Sequence, residues 1–220
     1  MNIMQSGALL SSAYLPPIQY FTKIISYPKL FIENSESYLK QSYRNRALLL
    51  SANGILKLTL PIVNGPRAKG PIKDQQLSYD YPWQLMHWRG IVSAYNNSPF
   101  FEYYADDFRP YFQTKKWKYL VDFNTEILDT LLRSLNIVAD IKHTENYFPI
   151  GEVPSNIADF RYSIHPKDQK QTQDMSFSPQ PYVQVFQEKY GFVPNLSILD
   201  LIFNEGPQST QNLKSCITGI

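Results

Sequence analysis

A chain of 220 residues is long enough for one large domain or two small ones, and a hydrophobic content of 43% is ordinary for a globular protein. A net charge of +2, with no basic run, gives no long-range steering toward nucleic acid or an anionic membrane, and neither is an expected partner. The single cysteine, Cys216, excludes an internal disulfide framework and a cysteine-based zinc site. No apolar run is long enough to span a bilayer, and the opening MNIMQSGALLSSAYLPP lacks a charged n-region, so a soluble cytoplasmic protein is expected, without stable membrane insertion. Aromatic residues are abundant at 15%, with 16 Tyr and 13 Phe. Each Tyr hydroxyl wants a partner, which fits a carbohydrate or nucleotide surface and fits an ordinary α/β core equally well.

In chain order, ALLSSAY (Ala8 to Tyr14) reads as a short strand that ends at Pro16-Pro17. Ile18, Phe21 and Ile25 are at helical spacing, and Pro28 closes that helix. Leu30 to Ile32 is a second strand, so the start is a βα unit with two parallel neighbours. Ligands bind such units at the carboxyl ends of the strands, which here carry Ser11, Ser12 and Tyr14, then Glu33 and Asn34. Ala47 to Leu50 and Ile55 to Val63 are two strands joined by SANG, with Asn53-Gly54 as a type I′ hairpin signal. NGPRAKGP (Asn64 to Pro71) is a basic surface loop with no Walker or dinucleotide glycine pattern.

From Pro82 a helix runs to Asn96-Asn97, with Trp83, His87, Ile91 and Tyr95 on one face. Leu120 to Leu135 is an amphipathic helix. From Lys142 the composition turns polar with scattered Pro, and residues 142–180 read as an irregular connection. A helix is expected over Pro181 to Tyr190 with Gly191 as its cap. A second helix N-capped by Asn195 should follow, and then a loose tail after Pro207. The fold class is therefore α/β: an N-terminal βα unit and a β-hairpin in a mixed sheet, with a largely helical C-terminal part. The expected division is an α/β domain over 1–141 that carries the site, the connection, and a helical segment over 181–220 packed on the domain.

No complete catalytic signature is present: no GxSxG, no HExxH and no Gly-Lys-Ser/Thr loop. His87, His143 and His165 lie far apart and no pair has metal-ligand spacing, so no metal site is expected. His87 is the one histidine within an apolar-periodic helix; such a residue is either a satisfied core histidine or a proton carrier. The segment Lys40, Ser42, Arg44, Asn45 and Arg46 is the best source of anion-binding donors, and as an extended strand it would place Lys40, Ser42, Arg44 and Arg46 on one face. The alternative is a solvated strand edge.

The succession YLPPIQYF, YLKQSYRNR, a Gly-turn hairpin ending LTLPI, and WQLMHWRGIVSAYNNSPFFEYY resembles the WbqC-like proteins, over most of the chain. The ending QVFQEKYGFVPNLSILDLIFNEGP is similar to that of a branch common in Bacteroidetes. Two places depart from other branches: Ser12-Ala13 stands where they carry Gln-Pro, and Glu33-Asn34 where they carry paired aspartates. The family occurs in O-antigen and other surface-polysaccharide gene clusters. The resemblance therefore implies a transferase that modifies a nucleotide- or lipid-linked amino sugar, by acyl or aminoacyl transfer, with an activated sugar or an acyl or aminoacyl donor as partner. It implies no particular cofactor or oligomeric state. In that reading His87 is the catalytic base, Tyr14, Lys40, Ser42, Arg44, Asn45, Arg46 and Trp83 bind substrate, and His87, Asn45, Arg46 and Tyr14 converge on one concave surface. The rival readings are a non-catalytic sugar-binding or accessory protein and a nucleotidyltransferase-like enzyme.

Overall fold

The computed structural model describes residues 6–113, 116–167 and 172–219. Strands β1 (Gly7–Ser11) and β2 (Leu30–Glu33) flank helix α1 (Ile18–Ser26) and pair in parallel, with Ala8 opposite Leu30 and Ser11 opposite Glu33. Hairpin strands β3 (Arg46–Ser51) and β4 (Gly54–Thr59) form a two-stranded antiparallel sheet of their own. Helices α2 (Trp83–Tyr95), α3 (Phe101–Phe108) and α4 (Leu120–Ser134) follow. The chain then returns to the first sheet. Strands β5 (Ile141–His143) and β6 (Ile157–Asp159) complete an all-parallel order β5-β2-β1-β6. Both lie in or at the start of the stretch expected to be irregular. Three-residue strands are too short to show a period, and their pairing comes from the sheet that they join.

The C-terminal part comprises helices α5 (Gln187–Tyr190), bonded to the hairpin turn at Ala52, and α6 (Ile198–Glu205) and α7 (Ser209–Ser215), which pack against α1. Here three expectations need correction. The helix over 181–190 shrinks to its last turn, because Tyr182 and Gln184 upstream are drawn to the buried Asp200 carboxylate. Asn195 does not cap α6; Ser197 does, by accepting from the Leu199 N–H, while Asn195 Oδ1 accepts from the Gln19 N–H in the first turn of α1 at 3.0 Å. The tail is α7, anchored by fully buried Leu213 and by buried Cys216, so it is not loose.

One hydrophobic cluster runs from β1 and α1 through the hairpin and α2–α4 to α6 and α7. Helix α2 lies close on β4: a methyl group at Gly90 would meet Leu56 Cδ2 at 3.1 Å. Asp200 joins three segments of this core. It accepts from Tyr95 at 2.8 Å, from Gln184 at 3.0 Å and from Tyr182, and burial raises its pKa.

The hairpin turn is not type I′. Positive φ falls on Gly54 alone (+93°), with Ser51 paired to Gly54. Ala52 and Asn53 therefore make an ordinary turn that is followed by a glycine in the bulge position. Gly54→Val forces a β-branched residue into this region and should cost roughly 1–2 kcal/mol. Urea unfolding would read this, and an unchanged midpoint would show that the turn relaxes to another geometry.

Candidate functional site

Strands β1 and β6 are neighbours whose chain connections run to opposite sides: β1 leads to β2, whereas β6 is reached from β5 on the far side of β2. Such a reversal leaves a crevice outside the carboxyl ends of the two strands. Ser11, Ser12 and Ala13 enter it from β1, and Phe160, Arg161 and Ile164 from β6. With Arg44 they enclose a cavity of about 10 Å³, the scale of one water molecule. Arg44 also lines a larger cleft of about 310 Å³ whose walls include Ser35, Glu36, Tyr38, Tyr147 and Tyr162. That is at the small end of the range of about 300–1,000 Å³ for small-molecule sites.

Two buried arginines hold the crevice in shape. Arg44 Nε donates to Glu36 Oε1 at 2.8 Å, and its Nη2 donates to Glu36 Oε2 and to Ser11 Oγ at 2.9 Å. The Arg161 side chain is fully buried. It forks onto Asp159 at 2.9 and 2.7 Å, and its Nη1 reaches Glu33 Oε2 at 3.3 Å and the Phe148 carbonyl at 2.8 Å. Its guanidinium carbon lies 5.5 Å from the Tyr147 ring centre and 5.8 Å from that of Tyr162. Burial, then the hydrogen bond with Tyr147, raises Tyr162 to about 12, so its hydroxyl stays protonated. Burial likewise lifts Tyr38 to about 12, against the pull of Arg46 and Arg44. Among the described residues no group of three or more His, Cys, Asp or Glu side chains is placed to hold a metal ion.

The expected site residues divide into two places. Arg44 belongs to the cleft. Arg46, at the head of β3, lies close enough to act on Tyr38, and its buried Nε meets no protein acceptor. His87, Tyr14 and Trp83 form a separate, sealed cluster that does not line the cleft. The Tyr14 hydroxyl is 3.0 Å from His87 Nδ1, and the Trp83 ring centre is 5.3 Å from that of His87. A ring N–H given to the Thr59 carbonyl leaves Nδ1 to accept from Tyr14. Asn45 donates to the Leu60 carbonyl at 3.1 Å, Ser42 donates to Leu39 at 2.6 Å, and Lys40 is exposed. Residues 40–45 are turns, not a strand, so Lys40, Ser42, Arg44 and Arg46 do not share a strand face. The expected single concave surface with His87, Tyr14, Asn45 and Arg46 is thus not formed: the first two face each other inside the core.

Glu36, Tyr147, Tyr162 and Arg161 escaped the sequence reading. The last three fall in the stretch read as irregular. Their signal, the run Phe160-Arg161-Tyr162, acquires meaning only when β6 is placed beside β1. The two departures noted from other branches, Ser12-Ala13 and Glu33, both border this crevice.

A model of the WbqC-like protein family matches residues 11–165 and 161–212. The chain is 24% identical over 230 residues to uncharacterized protein Rv1507c of Mycobacterium tuberculosis (strain ATCC 25618 / H37Rv), an alignment that covers 97% of this chain and 99% of that one. No solved structure matches.

His87 gives a pH test. Burial depresses its pKa from 6.5 to about 4. The folded state then binds fewer protons than the unfolded one, so its contribution is complete above about pH 6.5 and is lost as pH falls toward 4. The full contribution is on the order of 3 kcal/mol. Melting curves from pH 7.5 to 4.5 should show wild type losing stability more steeply than His87→Gln. Parallel curves would mean that the folded protein carries a charged imidazole.

Proposed function

This chain belongs to the WbqC-like protein family, and we propose that it is a cytoplasmic transferase of surface-polysaccharide assembly, acting on a nucleotide- or lipid-linked amino sugar. The observation that carries this reading is the cleft at the carboxyl ends of β1, β2 and β6, where tyrosine rings, serine hydroxyls and an arginine–carboxylate pair meet. Aromatic faces with fixed hydrogen-bonding groups suit a sugar ring. Arg46 lies close enough to act on Tyr38, a residue of the cleft wall, and pairs with no carboxylate among the described residues, so we assign it to the anionic link of an activated sugar. Arg44 is engaged by Glu36 and is not available for that role.

A second reading, a sugar-binding accessory protein without chemistry of its own, is favoured by one observation: His87, the expected base, is 5% exposed and turned toward Tyr14. A catalytic base must reach the proton that it removes. In the transferase reading that task falls to a group in the cleft, and His87 fixes the β1–α1 loop through Tyr14.

Mass spectrometry of surface-polysaccharide intermediates from a deletion strain tests the proposal. An intermediate lacking one substituent should accumulate, and the wild-type gene should clear it. Complementation by Arg46→Ala should be weakened by at least about tenfold in product, the scale of one lost charged contact of 1.4 kcal/mol or more. Intermediates identical to those of the parent strain would remove both readings.

A further inference from the structure

The hydrogen bonds left over on the Arg44–Glu36 pair define what the cleft can read. A guanidinium has five N–H donors and a carboxylate about four acceptor positions. Arg44 commits three donors, two to Glu36 and one to Ser11, which leaves the two on Nη1. Glu36 accepts one bond on each oxygen, both from Arg44, which leaves a free position on each. Both side chains line the cleft. Their mutual pairing fixes donor and acceptor at a set spacing, and it cancels their charges, so the matching ligand group is polar and uncharged. Two adjacent hydroxyls can serve the two groups separately, one donating to the carboxylate and the other accepting from Nη1, and each keeps a further acceptor position for a neighbouring donor. Tyr147 and Tyr162 stand on the same cleft, with Arg161 held against both rings. They offer flat apolar surface to the ring that carries the hydroxyls.

We propose that this cleft is a vicinal-diol subsite, in which Glu36 and Arg44 Nη1 read two adjacent hydroxyls of a sugar ring packed on Tyr147 and Tyr162. The proposal deepens the transferase reading and rests on it only in taking the cleft as the ligand site. The diol has two possible sources, a hexopyranose or the ribose of a nucleotide.

Ligand-observed NMR on the full chain separates them. The probes are methyl mannoside against its 2,3-dideoxy analogue, and uridine monophosphate against 2′-deoxyuridine monophosphate. In at least one pair, the diol should bind about tenfold or more tightly than the partner that lacks it, since a site built to pair a hydroxyl rejects the analogue without one. Preference in the first pair assigns the hexose, and preference in the second assigns the ribose. Glu36→Gln should lose that preference. Because removing one partner of a buried pair can unfold the chain, Tyr162→Leu, which leaves both members of the ion pair in place, provides a second variant. It should keep its melting temperature within a few degrees and weaken the diol probe by about tenfold. Equal binding within both pairs, or no binding of any probe, overturns the proposal. The deletion strain fails independently: unchanged polysaccharide with intact diol preference would remove the transferase reading and leave the subsite standing.

Discussion

The buried contact between Glu33 and Arg161 is the constraint on which the rest of the crevice depends. Glu33 ends β2 and Arg161 follows β6, and β1 lies between those two strands. A single pair of side chains thus spans the sheet at its carboxyl edge. Desolvating each charge costs several kcal/mol, and the pair is tolerable because both carboxylate oxygens and all three guanidinium nitrogens find partners. Glu33 accepts from Thr144 at 2.7 Å, from the Phe148 N–H at 3.1 Å and from the Ser35 N–H at 2.9 Å. Those partners come from the loops after β5 and β2. The carboxylate therefore gathers the loops that bear Tyr147 and Glu36, and the cleft takes its shape from this convergence. Loss of Arg161 would leave Glu33 buried without a cation, at about 3–5 kcal/mol, whereas loss of Glu33 would leave Arg161 still paired with Asp159.

The β1–α1 loop is held from the opposite side. Leu15 is fully buried and adopts φ +41°, a left-handed conformation that is costly for a branched side chain. The strain persists because the residues around it are overdetermined. The Tyr14 N–H donates to the Tyr43 carbonyl at 2.8 Å, the Tyr14 hydroxyl meets His87, and Pro16 and Pro17 fix the chain that enters α1. Asn124 reaches both Ser12 Oγ at 3.0 Å and the Arg44 carbonyl at 2.9 Å. The His87 cluster and the cleft are thus linked through Tyr14, Ser12 and Arg44, though they do not share a surface.

Legibility in the sequence followed element length and locality. The βα unit, the hairpin strands, α2 and α4 each carry a period or a punctuating proline or glycine, and β1 and β2 end at Ser11 and Glu33. Strands β5 and β6 have three residues each, and their identity depends on partners more than a hundred residues away. Arg161, Tyr147 and Tyr162 could not be recognised without them. Arg44 was found as a cationic residue, but its partner Glu36 was not, because a turn brings the two together and no helical or strand spacing announces it. Asn195 shows the same limit: it was read as the cap of the helix that follows it, whereas its Oδ1 accepts from the Gln19 N–H, 176 residues away in sequence.

The chain buries charge unevenly, and the pattern separates structure from site. In the core between α2 and α6, Asp200 accepts from two tyrosine hydroxyls and a glutamine amide, is in no ion pair among the described residues, and burial raises its pKa against those hydrogen bonds. Neutral hydrogen bonds are thus sufficient to join those elements. Among the described residues, three ion pairs with nearly fully buried partners lie elsewhere: Arg44–Glu36, Arg161–Glu33 and Lys23–Asp174. The first two line or brace the cleft. In the third, Lys23 lies 4.8 Å from the centre of the Phe160 ring that walls the small cavity. Apolar residues of similar volume would hold the same positions with no desolvation cost. Their concentration around one crevice fits the proposal that this end of the sheet presents fixed donors and acceptors to a polar guest.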